Sequence, residues 1–238
     1  MNSLTTTGRT NAVRPLPATE PTPVVFVVDD DVSVRESLEA LVRFAGWQPE
    51  TFAFAQEFLA HRRSDVPSCL VLDVSLPDLN GLDLQQRLAG DQTHLPIIFI
   101  TGYGDIPMTV QAMKAGAIEF LPKPFRNEAL LNAIRNGIER SRAARGEAAE
   151  RQSVSECYAS LTPRERDVMT LVVAGRLNKQ VGRELGISEI TVKAHRSRVM
   201  RKMKARSLAD LVRMAAKLDL RLAAKQGDRL PERSDRRS

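Results

Sequence analysis

Residues whose side chains could take part in chemistry lie at the ends of short apolar runs in this sequence. Three aspartates, Asp29 to Asp31, begin where VVFVV ends, and Asp73 follows CLVL. Thr101 ends a third apolar run and Lys123 comes soon after a fourth. Carboxylates are hard oxygen ligands of the kind that hold Mg²⁺, whereas an ammonium and a hydroxyl can hydrogen-bond a phosphoryl group. Together these side chains could bind Mg²⁺ and stabilise a phosphoryl group on Asp73.

The elements that must position these residues follow from the hydrophobic pattern. Short apolar runs are typical of strands buried on both faces of a parallel sheet, and each is followed by a segment with helical periodicity. The predicted strands cover 24–29, 50–53, 69–73, 96–101 and 117–122, and the predicted helices cover 32–45, 55–63, 82–89, 107–115 and 127–140. This alternation predicts an α/β fold, a doubly wound five-stranded parallel sheet with helices on both faces. Since ligands bind at the carboxyl ends of such strands, the reactive side chains should face one crevice.

Charge divides the chain into two parts. Residues 24–140 carry 10 basic and 16 acidic residues, a net charge of −6, whereas residues 161–226 carry 16 basic and 6 acidic residues, a net charge of +10. This asymmetry indicates two domains with different partners, and the basic one is a candidate for binding a phosphate backbone. The sequence has no apolar run near the ~20 residues of a membrane span, and two cysteines make neither a disulfide framework nor a metal cluster. We therefore expect a cytoplasmic protein without a membrane partner.

Composition predicts the domain boundaries. Residues 1–22, rich in Thr and Pro, and residues 225–238 are expected to be disordered tails. The α/β domain should cover 23–140, and residues 141–158 should continue its last helix into a solvated linker. A second, smaller all-α domain should cover 159–224.

The basic domain contains a helix-turn-helix pattern. Thr162, Pro163 and Glu165 form a capping signature that begins a first helix. A short turn containing Gly then joins a helix at 178–185 to a helix at 189–203. In a helix-turn-helix the second helix of the pair enters the major groove of double-stranded DNA.

Residues 22–140 resemble the receiver domain of bacterial two-component response regulators. The resemblance is carried by DDD at 29–31, LDVSLPDLNG around Asp73, ITG at 100–102 and KPF at 123–125, in the order and spacing of that family. It implies that Asp73 is the phosphoacceptor for a histidine kinase.

The resemblance also implies a Mg²⁺ site. Asp30, Asp73 and the backbone carbonyl of Ser75 would ligate the ion, and Asp29 would act through water. Ser75 also occupies a position at which the family varies the lifetime of the phosphate.

The same resemblance assigns roles to residues that follow the fourth and fifth strands. Thr101 and Lys123 would contact the phosphoryl oxygens, Phe120 would be the switch aromatic, and Tyr103 would influence phosphate lifetime. Pro124 would follow a cis peptide bond, which is otherwise uncommon.

Each of these residues alone has an ordinary structural explanation. Asp29 or Asp31 could cap a helix, and Asp31 is expected to do so. Lys123 alone would be solvated surface, Thr101 a strand-end hydroxyl and Phe120 part of the core. Their joint occurrence at the ends of four strands favours the functional interpretation.

Residues 161–215 resemble the four-helix output domain of the LuxR/NarL/FixJ class. The resemblance implies a DNA-facing set and a phosphate-contacting set, and a last helix, 207–217, that mediates dimerisation. The DNA-facing residues would be Thr191, Lys193, Ala194, Arg196 and Ser197, and the phosphate-contacting residues would be Asn178, Lys179 and Arg198. Any one of these cations could instead be simply solvated. A metal site at His195 is disfavoured because no second His or Cys lies nearby.

Together the two resemblances predict a phosphorylation-dependent DNA-binding response regulator of the FixJ type, rather than an enzyme. Its expected partners are a histidine kinase, double-stranded DNA and a second copy of the chain when phosphorylated, with RNA polymerase as a further candidate. One alternative is a phosphohydrolase with Asp73 as nucleophile, but that reaction needs a general acid where Ser75 stands. The other is a constitutive DNA-binding protein with an idle receiver, which the complete acceptor set argues against.

Overall fold

The computed structural model describes residues 21–89, 95–102 and 106–218. It divides the chain into two compact units, residues 1–142 and 143–238. Tyr103 and the predicted tails, apart from residues 21 and 22, lie outside the described residues.

The described part of the first unit alternates strands with helices, as predicted. The elements are β1 Val24–Val28, α1 Val32–Phe44, β2 Gln48–Phe52, α2 Ala55–Ala60, β3 Ser68–Asp73, α3 Gly81–Ala89, β4 Ile97–Thr101, α4 Ile106–Lys114, β5 Glu119–Pro122 and α5 Asn127–Ala159. All neighbouring strands are parallel, and their order is β2-β1-β3-β4-β5. This confirms the predicted α/β fold, in which consecutive parallel strands need helical crossovers.

The core of the first unit has two layers because side chains alternate between the faces of a strand. Phe26, Leu70 and Phe99 belong to one buried cluster, and Val27 and Ile98 belong to the other. The central strands are therefore apolar on both faces, which explains why their sequences read as continuous apolar runs.

Helix α5 continues beyond residue 140, as the sequence predicted, and ends at Ala159. It runs through the segment predicted as a solvated linker, residues 141–158, and the division between the units falls within it. Val154 is 6% exposed and packs in the core of the second unit, with Tyr158 beside it. The end of this segment is therefore part of a core and not fully solvated, because its few apolar residues are close enough to form one face.

The second unit completes the helix-turn-helix with two flanking helices. Its remaining helices are α6 Pro163–Val173, α7 Asn178–Leu185, α8 Glu189–Lys202 and α9 Leu208–Lys217. Thr162 and Glu165 form the predicted capping box. Gly186 ends α7 at φ 67°, a left-handed conformation that favours glycine, and Ser188 caps α8 as expected. Among the described residues of both units, no helix is long and apolar enough to cross a membrane.

Candidate functional site

The predicted reactive residues meet at the carboxyl edge of the sheet. Asp29 follows β1 directly, Asp73 ends β3, Thr101 ends β4 and Lys123 follows β5. The strand register aligns Thr101 with Pro122, the residue before Lys123, and the Lys123 backbone N–H donates to the Thr101 carbonyl at 2.7 Å. Parallel pairing therefore brings together residues up to 94 positions apart in the sequence.

Lys123 bridges two buried carboxylates. Its Nζ donates to Asp29 Oδ2 at 2.6 Å and to Asp73 Oδ2 at 2.7 Å. Asp29 is fully buried and Asp73 is 6% exposed. Charge-assisted hydrogen bonds of this length are strong, so the ammonium holds both carboxylates in place.

The protonation of this cluster follows from burial and from the bridge. Burial lowers the pKa of Lys123, but the hydrogen bonds and charges of Asp29 and Asp73 outweigh it, so that its pKa is raised. Burial raises the pKa of Asp29 by more than the hydrogen bonds from Lys123 and the Asp31 backbone lower it. Lys123 therefore remains an ammonium at neutral pH and provides a positive charge next to Asp73.

Asp29, Asp30 and Asp73 make a carboxylate cluster that fits a divalent cation. One oxygen of each lies within 4.8 Å of the others, and Asp30 is exposed while Asp29 and Asp73 are buried. Mg²⁺ prefers one or two carboxylates and retains waters, so a cluster open on one side suits it. The backbone N–H of Ser75 donates to Asp73 Oδ1 at 3.0 Å, which places Ser75 beside the same carboxylate.

Two further contacts hold the acidic loop after β1. The Asp31 backbone N–H donates to Asp29 Oδ1 at 2.9 Å, and the Asp31 carboxylate caps α1, as predicted. Arg35 donates from one guanidinium nitrogen to the carbonyls of Asp29 at 2.7 Å and Asp30 at 2.9 Å. Sequence reasoning missed Arg35, although its position in the first turn after the aspartates was a usable signal.

Gly81, the first residue of α3, lies against the backbone of Asp73. A Cβ at this position would lie 2.6 Å from the Asp73 carbonyl oxygen and 3.0 Å from the Val74 Cα. The close approach therefore needs a residue without a side chain.

The residues predicted to form the switch lie on neighbouring strands. Thr101 is buried at the end of β4, and Phe120 is half-buried in β5. The rings of Phe99 and Phe120 have centroids 6.1 Å apart, and Phe120 packs against the buried cluster that contains Phe99. The Lys123–Pro124 peptide bond is cis, as the resemblance implied.

The predicted DNA-facing residues lie on α7 and α8. Thr191, Lys193, Ala194, Ser197, Arg198 and Lys179 are exposed, and Asn178 and Arg196 are half-buried. Arg196 donates to Asn178 Oδ1 at 3.2 Å, which links the two helices of the motif. Sequence reasoning had assigned both residues to DNA alone and missed this contact between them.

A buried ion pair fixes α8 against α6. Lys202 Nζ donates to Glu165 Oε2 at 2.6 Å, and the Glu165 side chain is only 4% exposed. The hydrogen bonds from Lys202 and from the Thr162 backbone lower the pKa of Glu165 from 4.5 to about 2. The sequence had indicated Glu165 only as a cap, since its partner is 37 residues away.

Comparison with known proteins assigns the family of both units. Residues 25–135 match the response regulator receiver domain, and residues 159–215 match the luxR family of bacterial regulatory proteins. The chain therefore belongs to the two-component response regulators that combine a receiver domain with a luxR-family DNA-binding domain, and it is a transcription regulator.

Individual relatives are similar over most of their length. Nodulation protein W of Bradyrhizobium diazoefficiens is 53% identical over 197 residues, which are 83% of this chain and 87% of the relative. The transcriptional regulatory protein FixJ of the same organism is 41% identical, over 80% of this chain and 93% of the relative. The solved structure of the response regulator StyR is 50% identical, with a TM-score of 0.74, and covers 83% of this chain and all of that chain. These relatives confirm the predicted likeness to FixJ-type regulators.

Proposed function

We propose that this regulator accepts a phosphoryl group on Asp73 from a histidine kinase and then binds double-stranded DNA as a homodimer through α8. The observation that carries the proposal is the buried Asp73 carboxylate, held 2.7 Å from Lys123 Nζ beside two further carboxylates. This set combines a nucleophilic oxygen, a fixed cation and a candidate metal site within one crevice.

The side chains of the crevice supply most of the proposed chemistry. An Asp73 oxygen attacks the phosphorus of the donor, a P–O bond forms, and the bond from phosphorus to the donor atom breaks. Lys123, which keeps its proton, then neutralises the phosphoryl oxygens, and the Thr101 hydroxyl donates to them. Mg²⁺ held by Asp29, Asp30, Asp73 and the Ser75 carbonyl would supply further charge neutralisation.

The basic unit supplies the proposed output. The exposed cations Lys179 and Arg198 suit contacts to phosphates, and the exposed residues of α8 suit contacts to base edges. We assign dimerisation to α9, and we keep residues 23–140 and 159–224 as the functional domains, with the end of α5 around Val154 adding to the core of the second. The proposed place of action is the cytoplasm, and RNA polymerase is a further candidate partner.

Two observations separate the proposal from its alternatives. A phosphohydrolase needs a general acid near the phosphoryl group, and Ser75 stands two residues after Asp73, where such a group would be expected. A constitutive DNA-binding protein would not need the Asp29–Lys123–Asp73 arrangement, which keeps two carboxylates buried at a cost in solvation.

Acetyl phosphate and the full-length chain test the proposed phosphoacceptor. Intact-mass spectrometry should detect one phosphoryl group on the wild type in the presence of Mg²⁺ and none on Asp73→Asn. Asp83→Asn is the matched control, because Asp83 is an exposed aspartate on α3 and should be labelled like the wild type. Asp30→Ala should severely weaken the Mg²⁺-dependent labelling, because it removes one of the candidate ligands of the ion. Equal labelling of Asp73→Asn would contradict the assignment.

A further inference from the structure

One face of α8 is exposed along its first half. Ile190, Lys193, Ala194 and Ser197 are spaced i, i+3, i+4 and i+7, so they lie on the same side of the helix, and all four are exposed. The buried Val192 lies off this face and packs in the core of the second unit. The four residues therefore form a continuous exposed surface, the α8 face.

Ile190 is the unusual member of the α8 face. It is the second residue of α8 and is 80% exposed, more than any other large apolar side chain in the described part of the second unit. An isoleucine left in water forgoes the stabilisation that burial of its apolar surface would provide. Ile190 thus adds little to the stability of this unit, and its exposed surface is available to a partner.

The neighbours of Ile190 in the first turn of α8 are already engaged with each other. Thr191 Oγ1 lies 2.8 Å from Ser188 Oγ, and the Thr191 backbone N–H donates to Ser188 Oγ at 3.1 Å. Glu189 pairs with Lys193 at 3.2 Å. At the start of the helix, Ile190 therefore offers apolar surface between polar groups that have partners.

Charge identifies the partner of the α8 face. Residues 161–226 carry 16 basic and 6 acidic residues, a net charge of +10, and Lys193, Arg198 and Arg201 are exposed on α8 itself. A basic domain with an exposed isoleucine on its α8 face suits an anionic ligand that also offers a small apolar group. In the major groove, the C5 methyl of thymine is such a group, and the first residues of a recognition helix reach base edges there.

We propose that Ile190 determines specificity by packing against a thymine methyl in the major groove, so that the protein prefers a thymine at one position of each half-site. This inference rests on the proposed DNA binding and adds to it the base that one residue reads. Ala194, one turn further along the same face, leaves room for the base pair next to that contact.

The probe is a DNA duplex selected from a random pool of double-stranded DNA. The selection uses full-length protein that has been treated with acetyl phosphate. The consensus duplex selected by the wild type is then remade with uracil in place of each thymine in turn, which removes only the methyl group. At one thymine per half-site, uracil should weaken wild-type binding about fourfold, the equivalent of about 0.8 kcal/mol for one buried methyl-sized group. Ile190→Ala should bind thymine and uracil duplexes within a factor of about 1.5 of each other, since little apolar contact remains.

Phe44→Ala is the control, because Phe44 is a 90% exposed apolar residue of the first unit. It should keep the full sensitivity to uracil. Ile190→Ala should remain folded, since the site is exposed and Ala favours a helix, and circular dichroism checks this. This inference is wrong, and the proposed DNA binding stands, if the wild type selects a consensus but no uracil substitution weakens its binding to that duplex. The same conclusion follows if uracil weakens the binding of Ile190→Ala as much as that of the wild type. If the wild type selects no sequence, the proposed DNA binding fails as well.

Discussion

The ion pair between Glu165 and Lys202 should control the stability of the DNA-binding unit. Lys202→Met keeps the apolar stem of the side chain and removes the ammonium, which leaves the nearly buried Glu165 carboxylate with hydrogen bonds from Thr162 but without a cationic partner. Breaking a buried pair by removing one partner typically costs ~3–5 kcal/mol. The Lys202 side chain is 30% exposed, so part of its charge interaction is screened. We therefore expect the free energy of unfolding of the second unit to fall by about 2–3 kcal/mol.

The chain offers a matched control and an internal reference for this measurement. Lys193→Met removes a cation that pairs with Glu189 at 3.2 Å on the exposed surface, where such a pair contributes only about 0.3–0.5 kcal/mol. The single tryptophan, Trp47, lies in the first unit, so its fluorescence reports that unit while far-ultraviolet circular dichroism reports the helices of both. In urea, Lys202→Met should unfold the second unit at a midpoint about 1–2 M lower and leave the Trp47 transition unchanged.

The same pair predicts a dependence on pH. The pKa of Glu165 is lowered to about 2, so the stability that the ionised carboxylate contributes is complete above about pH 4.5 and is lost as the pH falls towards 2. Glu165→Gln should reduce this dependence in the second unit; Asp210, whose pKa is lowered by hydrogen bonds from Arg206 and Arg213, still contributes to it. The reasoning is refuted if Lys202→Met costs no more than Lys193→Met, or if the acid sensitivity of the second unit is the same in Glu165→Gln as in the wild type.

Three further predictions concern the switch, the sheet edge and the DNA surface. Thr101→Ala should still be phosphorylated by acetyl phosphate but should gain less DNA affinity than the wild type, because it lacks the hydroxyl whose movement towards the phosphoryl group would favour the inward rotamer of Phe120. An undiminished gain would show that the switch does not pass through this pair. Gly81→Ala should lower the free energy of unfolding of the first unit by ~1–3 kcal/mol, as measured by urea denaturation, since its Cβ would lie 2.6 Å from a backbone oxygen. An unchanged urea midpoint of the Trp47 transition would contradict this. The logarithm of DNA affinity should fall linearly with the logarithm of salt concentration, with a slope of about −0.9 per phosphate contacted. Lys179→Ala and Arg198→Ala should each reduce the magnitude of that slope by about 1. Slopes equal to that of the wild type would show that these residues do not contact phosphates.

The sequence was a good guide wherever structure follows from local pattern. The central strands β1, β3 and β4 are apolar runs, and the caps at Asp31 and Ser188 depend on side chains next to the helix that they begin. The crevice was also predictable, because the carboxyl ends of parallel strands must lie along one edge of the sheet.

Contacts between distant residues were beyond that reasoning. The bridge from Lys123 to Asp29, the pairing of Lys202 with Glu165 and the exposure of Ile190 depend on how elements pack, and no local pattern encodes packing. The end of α5 shows the same limit: a sparse apolar face including Val154 becomes part of a core only when the helices of the second unit are present.

The central claim is that a phosphoryl group on Asp73 controls DNA binding, and one comparison tests it directly. Full-length wild type and Asp73→Asn are titrated onto the selected consensus duplex with and without acetyl phosphate, at fixed salt and Mg²⁺. Coupling free energies of ~1–3 kcal/mol predict that acetyl phosphate tightens wild-type binding roughly 5- to 150-fold and leaves Asp73→Asn unchanged. Equal affinities of the phosphorylated and unphosphorylated wild type, or the same gain in Asp73→Asn, would contradict the account.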